Sequence, residues 1–392
     1  MKRKQTGQYT TISTVGDEIC RGFVPYPLPP KPAIQMSGRL QDIHDQALLA
    51  LGRLDSVTML LPDTFLFLYM YIRKEAVLSS QIEGTQSSLS ELLLFEDEQR
   101  PQIPQDEIKD ILNYVSAIEY GLERIQKGFP LSLRLIREIH SVLLRKGRGS
   151  EKNPGEFRTS QNWISGSRPG NAIFVPPPPE KVLECMGSLE LFMHDRSSNI
   201  QALVKIAMIH AQFETIHPFL DGNGRVGRLL ITLLLCSEGM LKQPLLYPSL
   251  YMKSHRQEYY DLLQAIRNEG DWEKWILFFL TGISETATQA VETVQRLVTL
   301  FKNDHEKIQA TGRTAGSALR VHEVLQKNPI MAISRIAKTT ALSIPTVTTA
   351  LNTLVEMGIV IETTKRKRAR RFAYNEYLKI LNEGTEIIAD SK

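Results

Sequence analysis

One twelve-residue stretch, HPFLDGNGRVGR from His217 to Arg228, combines a histidine, an acid, two arginines and three glycines between two apolar segments. Glycines let the backbone approach an anion closely, and the free N–H groups at the start of a helix attract negative charge. Arg225 and Arg228 lie one turn apart, near enough to bind one polyphosphate. Asp221 can hold Mg²⁺, and His217, with an ordinary pKa of about 6.5, can take a proton from an attacking hydroxyl. These residue types predict a phosphoryl- or nucleotidyl-transfer site.

Two core helices must position this stretch. Residues 199–216 carry apolar side chains at helical spacing, and Pro218 ends that helix beside His217. A second helix is expected over 225–238, and its LLITLLLC segment is apolar nearly all round and therefore buried. The alternative, a plain interhelical turn with a capping aspartate and solvated arginines, leaves the histidine and the paired arginines unexplained.

The remaining periodicity predicts an all-α body, with helices starting near residue 38, at 62–63, and over 106–126, 131–146, 180–194 and about 255–312. Residues 147–179, rich in Gly, Ser, Pro and Asn, predict a small β-hairpin flap. Hydrophobic (42%) and charged (23%) residues are present in ordinary globular proportions, and the net charge is only +4. Three scattered cysteines, no apolar leader and no membrane-length apolar run predict a cytoplasmic protein without membrane contact.

HPFLDGNGRVGR resembles the Fic family motif HxFx(D/E)GNGRxxR at every fixed position. The resemblance implies a helical domain that transfers AMP from ATP, with Mg²⁺, to a hydroxyl side chain of a target protein. In that comparison His217 is the general base, Asp221 the Mg²⁺ ligand and Arg228 the γ-phosphate ligand. The implied cradle for the α- and β-phosphates is Gly222, Asn223, Gly224 and Arg225. Doc-like relatives that phosphorylate their targets carry a lysine at the position of Gly224.

Two further segments resemble parts of that family. PGEFR, with Gly155, Phe157 and Arg158, resembles the run before the family's flap, which implies that 163–179 aligns the target segment by strand-like pairing. An ordinary surface hairpin is the alternative. Tyr259 and Tyr260 resemble residues of the adenine pocket, with a plain core role as the alternative.

A third segment, SSQIEG from Ser79 to Gly84, resembles the family's inhibitory motif (S/T)xxxE(G/N). Ser79 and Glu83 are four positions apart and share one helical face. The resemblance implies that Glu83 pairs with Arg228 and displaces the γ-phosphate, because a carboxylate and a phosphate compete for one guanidinium. A capped surface helix end with a solvated glutamate is the alternative.

The last 80 residues predict a winged helix-turn-helix. Three helices are expected over 317–326, 333–340 and 345–357, followed by a two-stranded wing in IVIETTKRKRARRFAYN. Six of the seven residues 365–371 are basic, which favours salt-dependent DNA binding through 345–371. Protein interaction or dimerisation with a solvated charge run is the alternative. The predicted division of the chain is an extended proline-rich arm (1–35), an N-terminal helical region (36–125), a catalytic core (126–285), a linker helix (286–314), the winged domain (315–380) and a tail (381–392).

Two function hypotheses follow. The first is a Fic-type protein adenylyltransferase, inhibited in cis by Glu83, that modifies other proteins or itself. The second is a DNA-binding regulator or antitoxin-like protein whose Fic core senses a nucleotide; the histidine favours the first, since a sensor needs no base. Transfer of another nucleotide by the same core is a narrower alternative, and a homodimer is consistent with the resemblance. The sequence has no GxxxxGK(S/T), HExxH or GxSxG motif.

Overall fold

The computed structural model of the protein describes residues 3, 5–13, 19–59, 64–98, 105–312, 315–364 and 370–386. Within these residues the chain is mostly helical, as predicted, with fifteen α-helices and five short strands. The elements in chain order are β1 (Gly7–Ser13), β2 (Cys20–Pro25), α1 (Arg39–Met59), α2 (Thr64–Ile82), α3 (Leu89–Glu98), α4 (Gln105–Gln126), α5 (Leu133–Leu143), α6 (Pro179–His194), α7 (Ala202–Ile216), α8 (Asn223–Ser237), α9 (Ser249–Ser254), α10 (Arg256–Glu269), α11 (Trp272–Gln309), α12 (Ala315–Lys327), β3 (Ile330–Ala332), α13 (Ile333–Thr340), α14 (Ile344–Glu356), β4 (Val360–Glu362), β5 (Arg371–Tyr374) and α15 (Asn375–Asn382).

Helices α7 and α8 form the centre of the body. Nearly every residue of both is buried, as their apolar sequence predicts. α7 packs against α6, α8, α10 and α11, while α8 also contacts α4 and α5. None of the helices in the described part of the chain is long and apolar enough to cross a bilayer.

α11 is one continuous helix along which α1 packs. The sequence division placed a separate linker helix from residue 286, but the structure has no helix boundary there. Apolar residues continue at helical spacing across that point, with Ile283, Ala287, Ala290 and Val294 all buried. The expected linker is therefore the second half of α11.

The described residues among the first 35, namely 3, 5–13 and 19–35, contain a β-hairpin and are not only an extended arm. β1 and β2 pair antiparallel, with Gly7 opposite Pro25, and Phe23 N–H donates to the carbonyl of Val175. The prediction of a nearly all-α body before residue 310 missed this hairpin. The TGQYTTIS segment is polar, so it lacks the apolar alternation that indicates a strand.

The C-terminal domain is the predicted winged helix-turn-helix. Helices α12, α13 and α14 pack together, and strands β4 and β5 form the two sides of the wing. A third strand, β3, pairs with β5 and was not predicted, because it is only three residues long. Residues 365–369 of the basic run lie outside the described residues.

Candidate active site

The side chains of Arg158 and Asn223 are hydrogen-bonded to the main chain of the loop between α7 and α8. His217 has a left-handed backbone (φ 50°), and its carbonyl accepts a hydrogen bond from Arg158 Nε at 2.9 Å. Asn223 accepts a hydrogen bond from Phe219 N–H and donates one to the Phe219 carbonyl, both at 2.8 Å. The side chain of Asn223 thus fixes the loop, and Arg158 fixes it from the flap side.

His140, which the sequence analysis missed, supports the same loop from α5. Its Nδ1 accepts a hydrogen bond from Gly155 N–H at 2.8 Å, so Nε2 carries the proton donated to the Asp221 carbonyl at 3.0 Å. The ring stacks on Phe219 with centroids 3.7 Å apart. Burial lowers the pKa of His140 to about 4, which keeps the ring neutral and preserves this pattern.

Asp221 and Arg225 lie together at the start of α8. Arg225 is buried, 3.7 Å from the Asp221 carboxylate and 4.0 Å from that of Asp110. Gly222 has a left-handed backbone (φ 77°) and begins the helix, and no side-chain cap is bonded to the amides that follow it. The N–H of Gly222 itself donates to Asp221 Oδ1 at 2.6 Å. This combination of free amides and a buried guanidinium suits an anion.

Glu83 and Arg228 meet at the opposite side of the α8 N-terminus. Glu83 Oε1 accepts a hydrogen bond from Arg228 Nη2 at 2.7 Å. Arg228 also donates to the Ser79 hydroxyl at 2.9 Å and to the Ser79 carbonyl at 3.0 Å. Burial alone would raise the pKa of Glu83, but the charge and hydrogen bond of Arg228 hold it below its usual range. The structure thus brings together the residues that the resemblance paired, and Gly84 (φ 96°) turns the chain directly after them.

Gly224 lies directly beneath the carboxylate of Glu83. A Cβ atom at this position would be 2.3 Å from Glu83 Oε1 and 3.0 Å from Arg228 Nη1. The glutamate therefore occupies the space above the α8 N-terminus that a bare glycine leaves open.

His217 is enclosed by charged groups. Burial, followed by the charges of Arg267 and Arg158, lowers the pKa of His217 to about 4. Its Nδ1 lies 4.0 Å from Glu214 Oε2. The imidazole is consequently neutral at pH 7 and able to accept a proton.

The two tyrosines assigned to an adenine pocket have different environments. Tyr259 is 1% exposed, and its hydroxyl lies 2.9 Å from Nε2 of His210 in the core. Tyr260 is 38% exposed, with its ring centroid 5.0 Å from that of Tyr259. Of the pair, Tyr260 is the one open to a ligand in this conformation.

The predicted flap is a loosely paired loop rather than a regular hairpin. Ile164 and Phe174 form a single antiparallel bridge, and a short 3₁₀ turn covers Pro169–Asn171. Trp163 and Ile173 are exposed on it. The flap therefore has two large apolar side chains exposed on its surface.

The end of α2 also contacts the C-terminal segment. Gln81 Nε2 donates to the carbonyls of Ser87 at 3.1 Å and Thr385 at 2.9 Å. Lys253 Nζ donates to the Gly384 carbonyl at 3.2 Å. The turn that carries Glu83 is thus tied to residues that follow the winged domain.

Three family models match this chain. Residues 42–123 match the Fic/DOC family N-terminal model, residues 130–235 the Fic/DOC family model, and residues 317–361 a winged helix-turn-helix DNA-binding model. The chain is similar to the protein adenylyltransferases Fic of Aedes aegypti (32% identical, 55% of this chain, 44% of the relative) and Culex quinquefasciatus (33% identical, 44% of this chain, 32% of the relative). It therefore spans less than half the length of these relatives. A crystal structure of a Fic family protein from Desulfovibrio desulfuricans G20 shares the fold, with a TM-score of 0.58 at 20% identity over 88% of this chain and 98% of that one.

Proposed function

The chain belongs to the Fic/DOC family, and from that premise we propose that it is a protein adenylyltransferase. It transfers AMP from ATP to a hydroxyl side chain of a target protein, or of itself, and releases pyrophosphate. The observation that carries this proposal is the joint presence, around one helix start, of a neutral histidine, a carboxylate, free amides and two buried arginines.

The nucleotide's phosphates fit the start of α8. We expect the amides at Gly222, Asn223 and Gly224 and the Arg225 guanidinium to bind the α- and β-phosphates, and Arg228 to bind the γ-phosphate. The Gly222 N–H, which donates to Asp221 Oδ1 at 2.6 Å, has to leave that carboxylate first. Mg²⁺ fits Asp221, because this cation is commonly held by one carboxylate plus phosphate oxygens and water. No group of three or more His, Cys, Asp or Glu side chains in the described part of the chain could cage a metal alone. Bound there, Mg²⁺ would neutralise phosphate charge.

His217 acts on the attacking hydroxyl. The target's oxygen attacks the α-phosphorus, the bond from that phosphorus to the bridging oxygen breaks, and pyrophosphate leaves with the electron pair. The hydroxyl proton moves to Nε2 of His217. The loop contacts of Arg158 and Asn223 keep this ring in place.

Glu83 inhibits this reaction in the resting protein. Its carboxylate occupies Arg228, which the γ-phosphate needs, so ATP must displace it before binding productively. Ser79 strengthens the inhibited state because it supplies two acceptors to the same guanidinium.

The test is AMP incorporation by purified Glu83→Gly protein with ATP and Mg²⁺, alone and with cell lysate, read by mass spectrometry. We expect AMP adducts that exceed those of the wild type and disappear in Glu83→Gly/His217→Ala. Adducts that carry a nucleotide other than AMP, formed in a mixture of ATP, GTP, CTP and UTP, would establish the alternative that the core transfers another nucleotide. No adduct of any kind would refute transfer and leave the nucleotide-sensing hypothesis.

DNA binding is the second candidate function, and the winged domain favours it. α14 exposes Thr349 and Asn352, side chains that can contact base edges, and Arg370 lies at the wing. We expect salt-dependent anisotropy changes with duplex DNA. An absence of binding at low salt would remove this candidate and favour a protein partner or a homodimer, which light scattering of the same sample measures.

A further inference from the structure

Glu214 lies one helical turn before His217 at the end of α7. Its Oε2 is 4.0 Å from Nδ1 of His217. His217 Nδ1 and Glu214 Oε1 are both buried and without a hydrogen-bond partner among the described residues. A Cβ at Gly227 would lie 2.2 Å from Glu214 Oε1, so α8 leaves room for this carboxylate.

Besides Glu214, the charged groups near His217 are the guanidiniums of Arg158 and Arg267 and the carboxylate of Glu83, which is itself bonded to Arg228. Arg158 and Arg267 both lower its pKa. Within the described residues, the hydrogen bonds of these two guanidiniums go to neutral oxygens, such as the His217 carbonyl for Arg158 and the Thr215 hydroxyl for Arg267. An imidazolium formed here during the reaction therefore needs a nearby negative charge.

Proton transfer adds a second requirement. Nε2 can accept the hydroxyl proton only while Nδ1 carries the ring's own proton, and the partner of Nδ1 decides which nitrogen carries it. We propose that Glu214 is a positioning residue that keeps this proton on Nδ1 of His217 and offsets the imidazolium charge. The inference rests on the proposed function and adds a residue to it.

Glu83 affects the pair formed by Glu214 and His217. The pKa of Glu214 is raised to about 7, mainly by burial. The carboxylate of Glu83 also raises this pKa, while the guanidiniums of Arg228 and Arg267 oppose the rise. These groups, together with the titratable His217, Tyr259 and Tyr260, face Glu214 from the turn after α2, from α8 and α10 and from the end of its own helix. Loss of the Glu83 carboxylate in Glu83→Gly therefore favours the ionised form of Glu214.

The main-chain carbonyl of Glu214 is the competing partner for Nδ1. It already accepts a hydrogen bond from Arg267 Nη2 at 3.3 Å. Substitution of the Glu214 side chain distinguishes its carboxylate from its main-chain carbonyl as the acceptor, because the carbonyl stays in place.

The kinetic test compares Glu83→Gly with Glu83→Gly/Glu214→Gln. Gln212→Ala in the same background is the matched control, since it removes a buried α7 side chain that bonds the Tyr26 carbonyl. We expect kcat to fall about tenfold to a hundredfold for Glu214→Gln, with KM for ATP changed by less than about twofold. The rise of kcat with pH through the ionisation of Glu214 should also disappear. A kcat and pH profile equal to those of the control would overturn the proposal.

A second measurement does not depend on activity. Nitrogen chemical shifts of labelled histidine, assigned with His217→Ala, report the tautomer of His217. We expect the Nδ1–H form in Glu83→Gly and a shift toward Nε2–H in Glu83→Gly/Glu214→Leu, which removes the acceptor. An unchanged tautomer would contradict the inference. An inactive Glu83→Gly protein that shows the tautomer shift would instead refute the adenylyltransferase proposal alone.

Discussion

Replacement of Glu83 by glycine should tighten ATP binding by an amount that the structure sets. In the proposed function, ATP must break the 2.7 Å bond between Glu83 and Arg228 before its γ-phosphate reaches the guanidinium. Removing one partner of a fully buried ion pair costs about 3–5 kcal/mol. A hydrogen bond to a charged group contributes about 1.5–3 kcal/mol. Arg228 is 1% exposed, but the Glu83 side chain is 31% exposed, so the lower range applies. About 2 kcal/mol corresponds to roughly a 30-fold lower Kd.

Titration calorimetry in the His217→Ala background measures this without turnover. ADP is the matched ligand, because it lacks the γ-phosphate that competes with Glu83. We expect the Kd for ATP to fall while that for ADP changes by less than about threefold. Equal ATP affinities in His217→Ala and His217→Ala/Glu83→Gly, or an equal gain for ADP, would refute the competition model.

Three further substitutions test individual contacts in the structure. Gly224→Ala should displace Glu83 and raise AMP incorporation above the wild type but below Glu83→Gly, because the added Cβ also crowds the phosphates; a wild-type rate would contradict this. Asp97→Ala removes the buried acceptor that two winged-domain arginines and one amide share, and should lower the free energy of unfolding in urea by about 3 kcal/mol. Burial raises the pKa of Glu75 to about 7. Protonated Glu75 therefore contributes fully to the free energy of unfolding below pH ~4.5, and this contribution is lost as the pH rises through 7. Glu75→Gln should therefore gain stability relative to the wild type between pH 5 and 8, by about 3 kcal/mol in urea titrations, and a constant difference would show that Glu75 does not titrate there.

The helices that hold the site were predictable because their sequences allow little else. LLITLLLC is apolar on nearly all sides, so it forms a buried helix, and the pattern of α14 with the strands after it indicates a winged domain. The pairing of Glu83 with Arg228 was expected only from the resemblance. No local pattern places α2 over the start of α8.

Other parts of the site depend on tertiary contacts that leave no local signal. His140 sits on an ordinary amphipathic helix, and its role follows from its contacts with Gly155 and Asp221, which come from distant segments. Glu214 is likewise inconspicuous in FETIHPF, where a buried acid cannot be told from a solvated one. The contact between Gln81 and Thr385 joins residues far apart in the chain, so only the folded structure reveals it.

The bare α-carbon of Gly224 couples two positions that are far apart in the sequence. Any side chain at residue 224 collides with the carboxylate at residue 83. Because that carboxylate is the end of a flexible side chain, a substitution at residue 224 can move it off Arg228 without any change at residue 83. The strength of the Glu83–Arg228 contact therefore depends on the size of residue 224, although a long stretch of chain separates the two positions.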